Sequence, residues 1–197
     1  MAMRGMGMTG AAVLAATAAL HTGAGRVILS LLSGQAAAHP PPDLMQRDWE
    51  RLELEQLHVV CGCGGGEAIR AHMPEVLQRS AQLVLDADGL NAGADDPALQ
   101  YLLHQRAELK PTVITPHPLE AARLLKTSTA QVQSNRLQAA QNLATLFHCT
   151  VVLKGSGSVI AATGQTSRIN TSGNGRLATG GTGDVLAGLV GARMAQG

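Results

Sequence analysis

Short apolar runs alternate with helix-period segments along most of the chain, and that alternation most restricts the fold. The runs occupy residues 27–32, 57–61, 83–86, 112–115, 151–154 and 159–162, and are built mainly from Val, Ile, Leu and Ala. Between them lie segments with helical spacing at 11–21, 67–79, 97–108, 119–125, 128–147 and 183–196. Runs this short and this continuously apolar suit strands covered on both faces, which requires helices on both sides of a mostly parallel sheet. The pattern predicts an α/β protein. Residues 151–154 and 159–162 flank Gly155-Ser156-Gly157 and read as a hairpin, and 164–170 as a further strand and turn. Residues 35–51, with three consecutive prolines, read as a loop-like excursion. Ser128 with Gln131 three residues on is a capping box for one long helix through Phe147.

At 197 residues the chain fits a single domain, 1–197, with one sizeable core. Aromatics are limited to Trp49, Tyr101 and Phe147, so that core must be aliphatic. A net charge of +1 with 15% charged residues creates no field that would steer nucleic acid or an anionic membrane. Arg4 before the apolar run 11–20 imitates a signal peptide, but the run is mostly alanine and too short to span a bilayer. A soluble helix and a cytoplasmic protein are expected. Cys61, Cys63 and Cys149 form neither a paired disulfide framework nor a zinc pattern, and read as reduced thiols.

Three glycine clusters compete as a phosphate site. Gly5-Met6-Gly7-Met8-Thr9-Gly10 matches the dinucleotide fingerprint, yet no strand precedes it and no acidic residue occurs between Gly10 and Asp43. Gly173-Asn174-Gly175-Arg176-Leu177-Ala178 follows a polar stretch instead of a strand. The third, Thr179-Gly180-Gly181-Thr182-Gly183-Asp184, leads into the apolar positions Val185, Leu186, Leu189 and Val190. There the glycines allow backbone N–H groups to converge at the positive end of a helix. Gly181, Thr182 and Gly183 form the predicted anion hole, and Asp184 faces the hydroxyl that attacks a phosphoryl group. Such a transfer asks more of orientation than of base strength.

The stretch from Gly173 to Asp184 resembles the signature of the NAD(P)H-hydrate dehydratases, a ribokinase-like branch. Further segments agree in order: Gly7–Ala12 with Gly23-Ala24-Gly25, Asp86-Ala87-Asp88-Gly89-Leu90-Asn91, Thr115-Pro116-His117-Pro118-Leu119-Glu120 and Lys154-Gly155-Ser156-Gly157-Ser158. Gly89, Leu119 and Cys63-Gly64-Gly65 depart from the family's usual residues without touching the aspartate. The resemblance implies a ribokinase-like fold and ADP-dependent dehydration of the S-epimer of hydrated NADH or NADPH. In that reaction the ring hydroxyl is phosphorylated and phosphate then leaves. Asp184 would act on the hydroxyl, Gly181–Gly183 would hold the phosphoryl group, and Lys154, Gly155, Ser156, Gly157, Ser158 and Gly183 would contact the nucleotide. Ala12, Gly64 and His117 would line the hydrated-nicotinamide pocket. ADP or ATP would be the donor with Mg²⁺, whose ligands the sequence does not show.

The resemblance leaves open a homo-oligomer and an epimerase domain, fused or separate. It also implies a strand before the first helix and helices after the last. The chain therefore reads as a fragment truncated at both ends, with apolar surface exposed on its terminal helix and weak activity in isolation. Two other readings compete: a small-molecule kinase of the same fold acting on a vitamin-precursor alcohol, and an inactive nucleotide-binding fragment.

Overall fold

The computed structural model describes residues 9–32, 37 and 40–197. The fingerprint-like run from Gly5 therefore falls, through Met8, outside the described residues. The chain opens with α1 (Thr9–His21), followed by β1 (Ile28–Leu29) and β2 (Met45–Gln46), which pair in parallel as a small separate sheet. The main sheet has six strands in the order β3 (His58–Cys61), β4 (Gln82–Leu85), β5 (Thr112–Ile114), β6 (Thr150–Leu153), β7 (Val159–Ala161) and β8 (Arg168–Ile169). Strands β3 to β6 run parallel, whereas β7 and β8 pair antiparallel. Between them come α2 (Ile69–Arg79), α3 (Ala87–Ala94), α4 (Pro97–Leu109), α5 (Pro118–Leu124), α6 (Thr129–Ser134) and α7 (Arg136–Phe147), and α8 (Thr182–Gln196) follows β8. Among the described residues no helix is long and apolar enough to cross a membrane.

Side-chain alternation along the strands places the helices. Leu83 and Leu85 of β4, Ile114 of β5, and Val151 and Leu153 of β6 join the larger core with Met73, Leu103 and Phe147 of α2, α4 and α7. Val60, Val84, Val113 and Val152 point the other way, onto Ala11, Ala15 and Ala187 of α1 and α8. A strand residue and its neighbour face opposite sides of the sheet, so both faces are covered as expected.

The helix pair α1–α8 packs closely because its contact residues are small. A Cβ on Gly188 would lie 2.0 Å from the Ala15 carbonyl oxygen, a backbone atom that cannot swing away. Gly188→Ala is therefore expected to force the two helices apart and cost about 2 kcal/mol, as overpacking does. A domain of this size should lose roughly 4–8 °C in Tm. Gly10→Ala is the control, because a Cβ there meets nothing within 4 Å. Equal melting curves for the two variants would show that the crossing tolerates a methyl group.

Three expectations are corrected. The first predicted strand, 27–32, is laddered only over Ile28–Leu29, because its partner β2 offers just two residues, inside the stretch read as a loop. The family-like run Asp86–Asn91, outside every predicted helix, lies largely in α3, an eight-residue helix with buried Leu90 and Ala92. A helix this short is held by packing more than by propensity. The predicted long helix through Phe147 divides at Asn135, which leaves helical geometry (φ −146°, ψ 75°) and accepts the Gln138 N–H at 3.1 Å. Ser128 does form its capping box with Gln131, but it caps α6 alone.

Candidate functional site

The parallel strands release four loops at their C-terminal ends, where open α/β sheets hold ligands. The β3 loop turns at Gly62, whose φ is 109° and where a Cβ would stand 1.9 Å from the Asp86 carbonyl oxygen. Glycine is required there on both counts. Asp88 fastens the same loop by accepting the Gly66 N–H at 2.8 Å. Asp86, at the end of β4, is buried, and its carboxylate Oδ1 lies 2.5 Å from Lys154 Nζ at the end of β6.

Lys154 also stands 3.9 Å from Glu120, and its backbone N–H donates to the Pro116 carbonyl at 2.8 Å. The β5 and β6 loops are thereby joined. Glu120 in turn positions His117: it accepts the His117 backbone N–H at 2.7 Å and approaches the ring's Nε2 at 3.2 Å. The ring's Nδ1 accepts the N–H groups of Leu119 and Glu120, each at 3.2 Å. An accepting Nδ1 turns Nε2 as the donor toward Glu120. Here histidine fills the cap position of α5 in a capping box usually begun by serine or threonine. Burial pushes the Glu120 carboxyl above its ordinary range, against the opposing pull of the His117 amide and of Lys154.

Helix α8 brings its first turn to the same place. Gly181 is its N-cap, with φ 87°, and a Cβ there would come within 2.7 Å of Leu14 of α1. Glycine has no side chain to occupy the first amides, so the N–H groups of this turn stay open to an anion. Gly183 is the meeting point: a Cβ built on it would lie 3.5 Å from Lys154 Nζ and 3.9 Å from Asp86 Oδ2. Asp184 follows in the first turn, half-buried. Amides, a lysine and a carboxylate therefore face one small volume. The donors suit a phosphate, and the carboxylate suits a hydroxyl beside it.

Sequence reasoning missed two residues here. Cys63 lies near both carboxylates: burial first, then the charges of Asp86 and Asp184, push its thiol upward, so it stays protonated. Its place between Gly62 and Gly64 at a strand end was the available signal. Arg136, the first residue of α7, holds the 154–158 loop from behind. Its guanidinium donates to the carbonyls of Leu153 (3.1 Å), Lys154 (3.3 Å), Ser156 (3.0 Å) and Gly157 (3.3 Å). Gly155, at φ 146°, leaves the room this needs, since a Cβ would meet Arg136 Nη1 at 2.5 Å. Ser158 closes the loop by donating to the Gly155 carbonyl at 3.1 Å.

The residues expected around the nicotinamide are divided. Ala12 and Gly64 line a cavity of about 460 Å³ that extends between β1 and β3, whereas His117 is not part of its wall. His117 reaches the Gly183 site through Glu120 and Lys154.

Comparison with known proteins points to one family. The family model described as NAD(P)H-hydrate dehydratase matches residues 4–197. The ADP-dependent (S)-NAD(P)H-hydrate dehydratase of Neisseria meningitidis is 39% identical over 97% of this chain and 67% of its own length. The bifunctional NAD(P)H-hydrate repair enzyme of Coxiella burnetii is 36% identical over 96% of this chain, which spans 39% of that protein. The ADP/ATP-dependent NAD(P)H-hydrate dehydratase of Bacillus subtilis, co-crystallised with ATP and Mg²⁺, superposes with a TM-score of 0.71 at 29% identity, covering 92% of this chain and 66% of that one. The chain thus spans about two thirds of its single-function relatives and about two fifths of the bifunctional one. With its sheet, its glycine-opened last helix and its matched sequence taken together, the chain belongs to the NAD(P)H-hydrate dehydratase family and has a ribokinase-like fold.

Proposed function

We propose that the protein restores NADH and NADPH from their hydrated S-epimers in an ADP-dependent reaction, as a hydro-lyase. The carrying observation is the meeting of Gly183, Lys154 and Asp86 beside Asp184 at one sheet end. In this reading the open amides of Gly181–Gly183 hold the phosphoryl group in flight, where their dipoles are already aimed and need no reorganisation. Asp184 orients the ring hydroxyl and takes its proton as the oxygen bonds to phosphorus and AMP departs. The phosphorylated ring then loses phosphate with a proton from the neighbouring carbon, which restores the double bond. Lys154 and the loop through Ser158 hold the nucleotide, and Ala12, Gly64 and His117 face the substrate.

Mg²⁺ suits such a site, because it takes phosphate oxygens and water and asks the protein for only one or two carboxylates. Bound with the nucleotide, Mg²⁺ would neutralise phosphate charge.

Residues 1–197 act as one domain in this reading, in the cytoplasm, where three buried free thiols stay reduced. Self-association and an epimerase partner, fused or separate, complete it.

A coupled assay decides the matter. Incubation of the hydrate with ADP and Mg²⁺ is expected to return NADH absorbance and release inorganic phosphate. A stable phosphorylated product would instead identify a kinase. ADP binding without turnover, unchanged by Asp184→Asn, would identify a nucleotide-binding protein without this activity.

A further inference from the structure

A second cluster of chemistry-bearing side chains sits away from the phosphate site. His104 and Glu108 are one turn apart on α4, and His148 ends α7. They lie near the starts of β5 (Thr112) and β6 (Thr150), at the opposite end of the sheet from Asp86 and Lys154.

We propose that His104, Glu108 and His148 form a binding site for a Zn²⁺-like divalent transition-metal ion. One ligand atom from each residue lies within 4.8 Å of the others. Glu108 Oε1 is 3.0 Å from His148 Nδ1 and 3.8 Å from His104 Nε2. Tetrahedral Zn²⁺, with bonds near 2.0–2.1 Å, sets its ligands roughly 3.3 Å apart. The two Glu108 separations bracket that value, and all three ligand atoms lie within 4.8 Å of one another, so side-chain adjustment closes the set.

The orientation of His104 is the stronger argument. Its Nδ1 lies 2.9 Å from the Leu146 carbonyl oxygen. A carbonyl can only accept, so Nδ1 carries a hydrogen, and Nε2 is the nitrogen turned toward Glu108 and His148. Metal-bound histidines are held in this way, with the far nitrogen donating to a backbone carbonyl or carboxylate. The two imidazoles already face each other, with ring centres 4.2 Å apart. All three side chains are part-exposed, at 34%, 45% and 37%, so an ion can enter and water can supply the fourth ligand.

Backbone geometry at His148 adds to the case. The residue is left-handed, at φ 52° and ψ 27°, where helices commonly stop on glycine. Two imidazoles and one carboxylate favour Zn²⁺ and its transition-metal neighbours over Mg²⁺. The ion would tie the end of α4 to the end of α7 and act on stability.

The test uses the untagged protein, titrated with Zn²⁺ by calorimetry and with Co²⁺ by visible absorption. One equivalent of Zn²⁺ is expected to bind and raise Tm by several degrees, and Co²⁺ should give the intense bands of a tetrahedral site. His148→Gly suits its left-handed position, and Glu108→Gln keeps a hydrogen-bonding group; both should fold and bind Zn²⁺ at least tenfold more weakly. His58→Gln, at an exposed histidine outside the cluster, should bind as the parent does. Absence of Zn²⁺ binding by the parent protein, or undiminished binding by both cluster variants, would overturn the proposal.

Discussion

Asp184→Asn is expected to lower kcat about a thousandfold, within the range that a positioned acid–base group contributes. Asparagine has nearly the same shape and sits equally well in the first turn of α8, so fold and nucleotide binding should persist. What it cannot do is take the hydroxyl proton. The amide hole at Gly181–Gly183, the lysine and the 154–158 loop are untouched by the change. ADP affinity measured by calorimetry should therefore stay within a few-fold of the parent, while single-turnover recovery of NADH collapses. Loss of binding and turnover together would mean that Asp184 mainly holds nucleotide or metal. Unchanged turnover would remove it from the chemistry.

Lys154→Met should have the largest effect on stability. Its ammonium is the cation between Asp86 and Glu120, whose side chains are only 2% and 4% exposed. Removing one partner of a buried ion pair leaves charge without compensation and costs about 3–5 kcal/mol. For a chain of this length that corresponds to a fall of roughly 6–20 °C in Tm. Adding Asp86→Asn removes the stranded carboxylate and should return much of the lost stability in urea denaturation. ADP binding should not return with it, because Lys154 also stands beside Gly183. That split separates the two roles of one residue. If Asp86→Asn fails to rescue the fold, the pair is not what Lys154 contributes; if it rescues binding as well, the lysine is not a phosphate contact.

Both experiments concern residues that differ in how visible they were beforehand. Asp184 was readable because everything that defines it is local: glycines, a helix start and an acid in the first turn occupy six consecutive positions. The same holds for Ser128 with Gln131, which form the expected capping box. The split at Asn135 was also local, since Asn135 and Gln138 repeat the capping pattern of Ser128 and Gln131. It escaped notice because the apolar period carries on across the break. Helix α3 escaped for the opposite reason: its two glycines with Asp88 and Asn91 have little helical preference, and its form depends on what buries Leu90.

Composition and periodicity by themselves determined the α/β class, the order of most elements and the glycine loop that opens α8. Each of these rests on interactions within a few residues along the chain. Only the tertiary structure decided that Lys154 pairs with Asp86, 68 positions earlier, that Cys63 comes near Asp86 and Asp184, and that Arg136 braces the 154–158 loop. It alone brought His148 to the face of α4 that carries His104 and Glu108. Those partners are chosen by the register of parallel strands and by which side of the sheet each helix crosses. Both are settled by burial of the whole core, and no local run of residues encodes them.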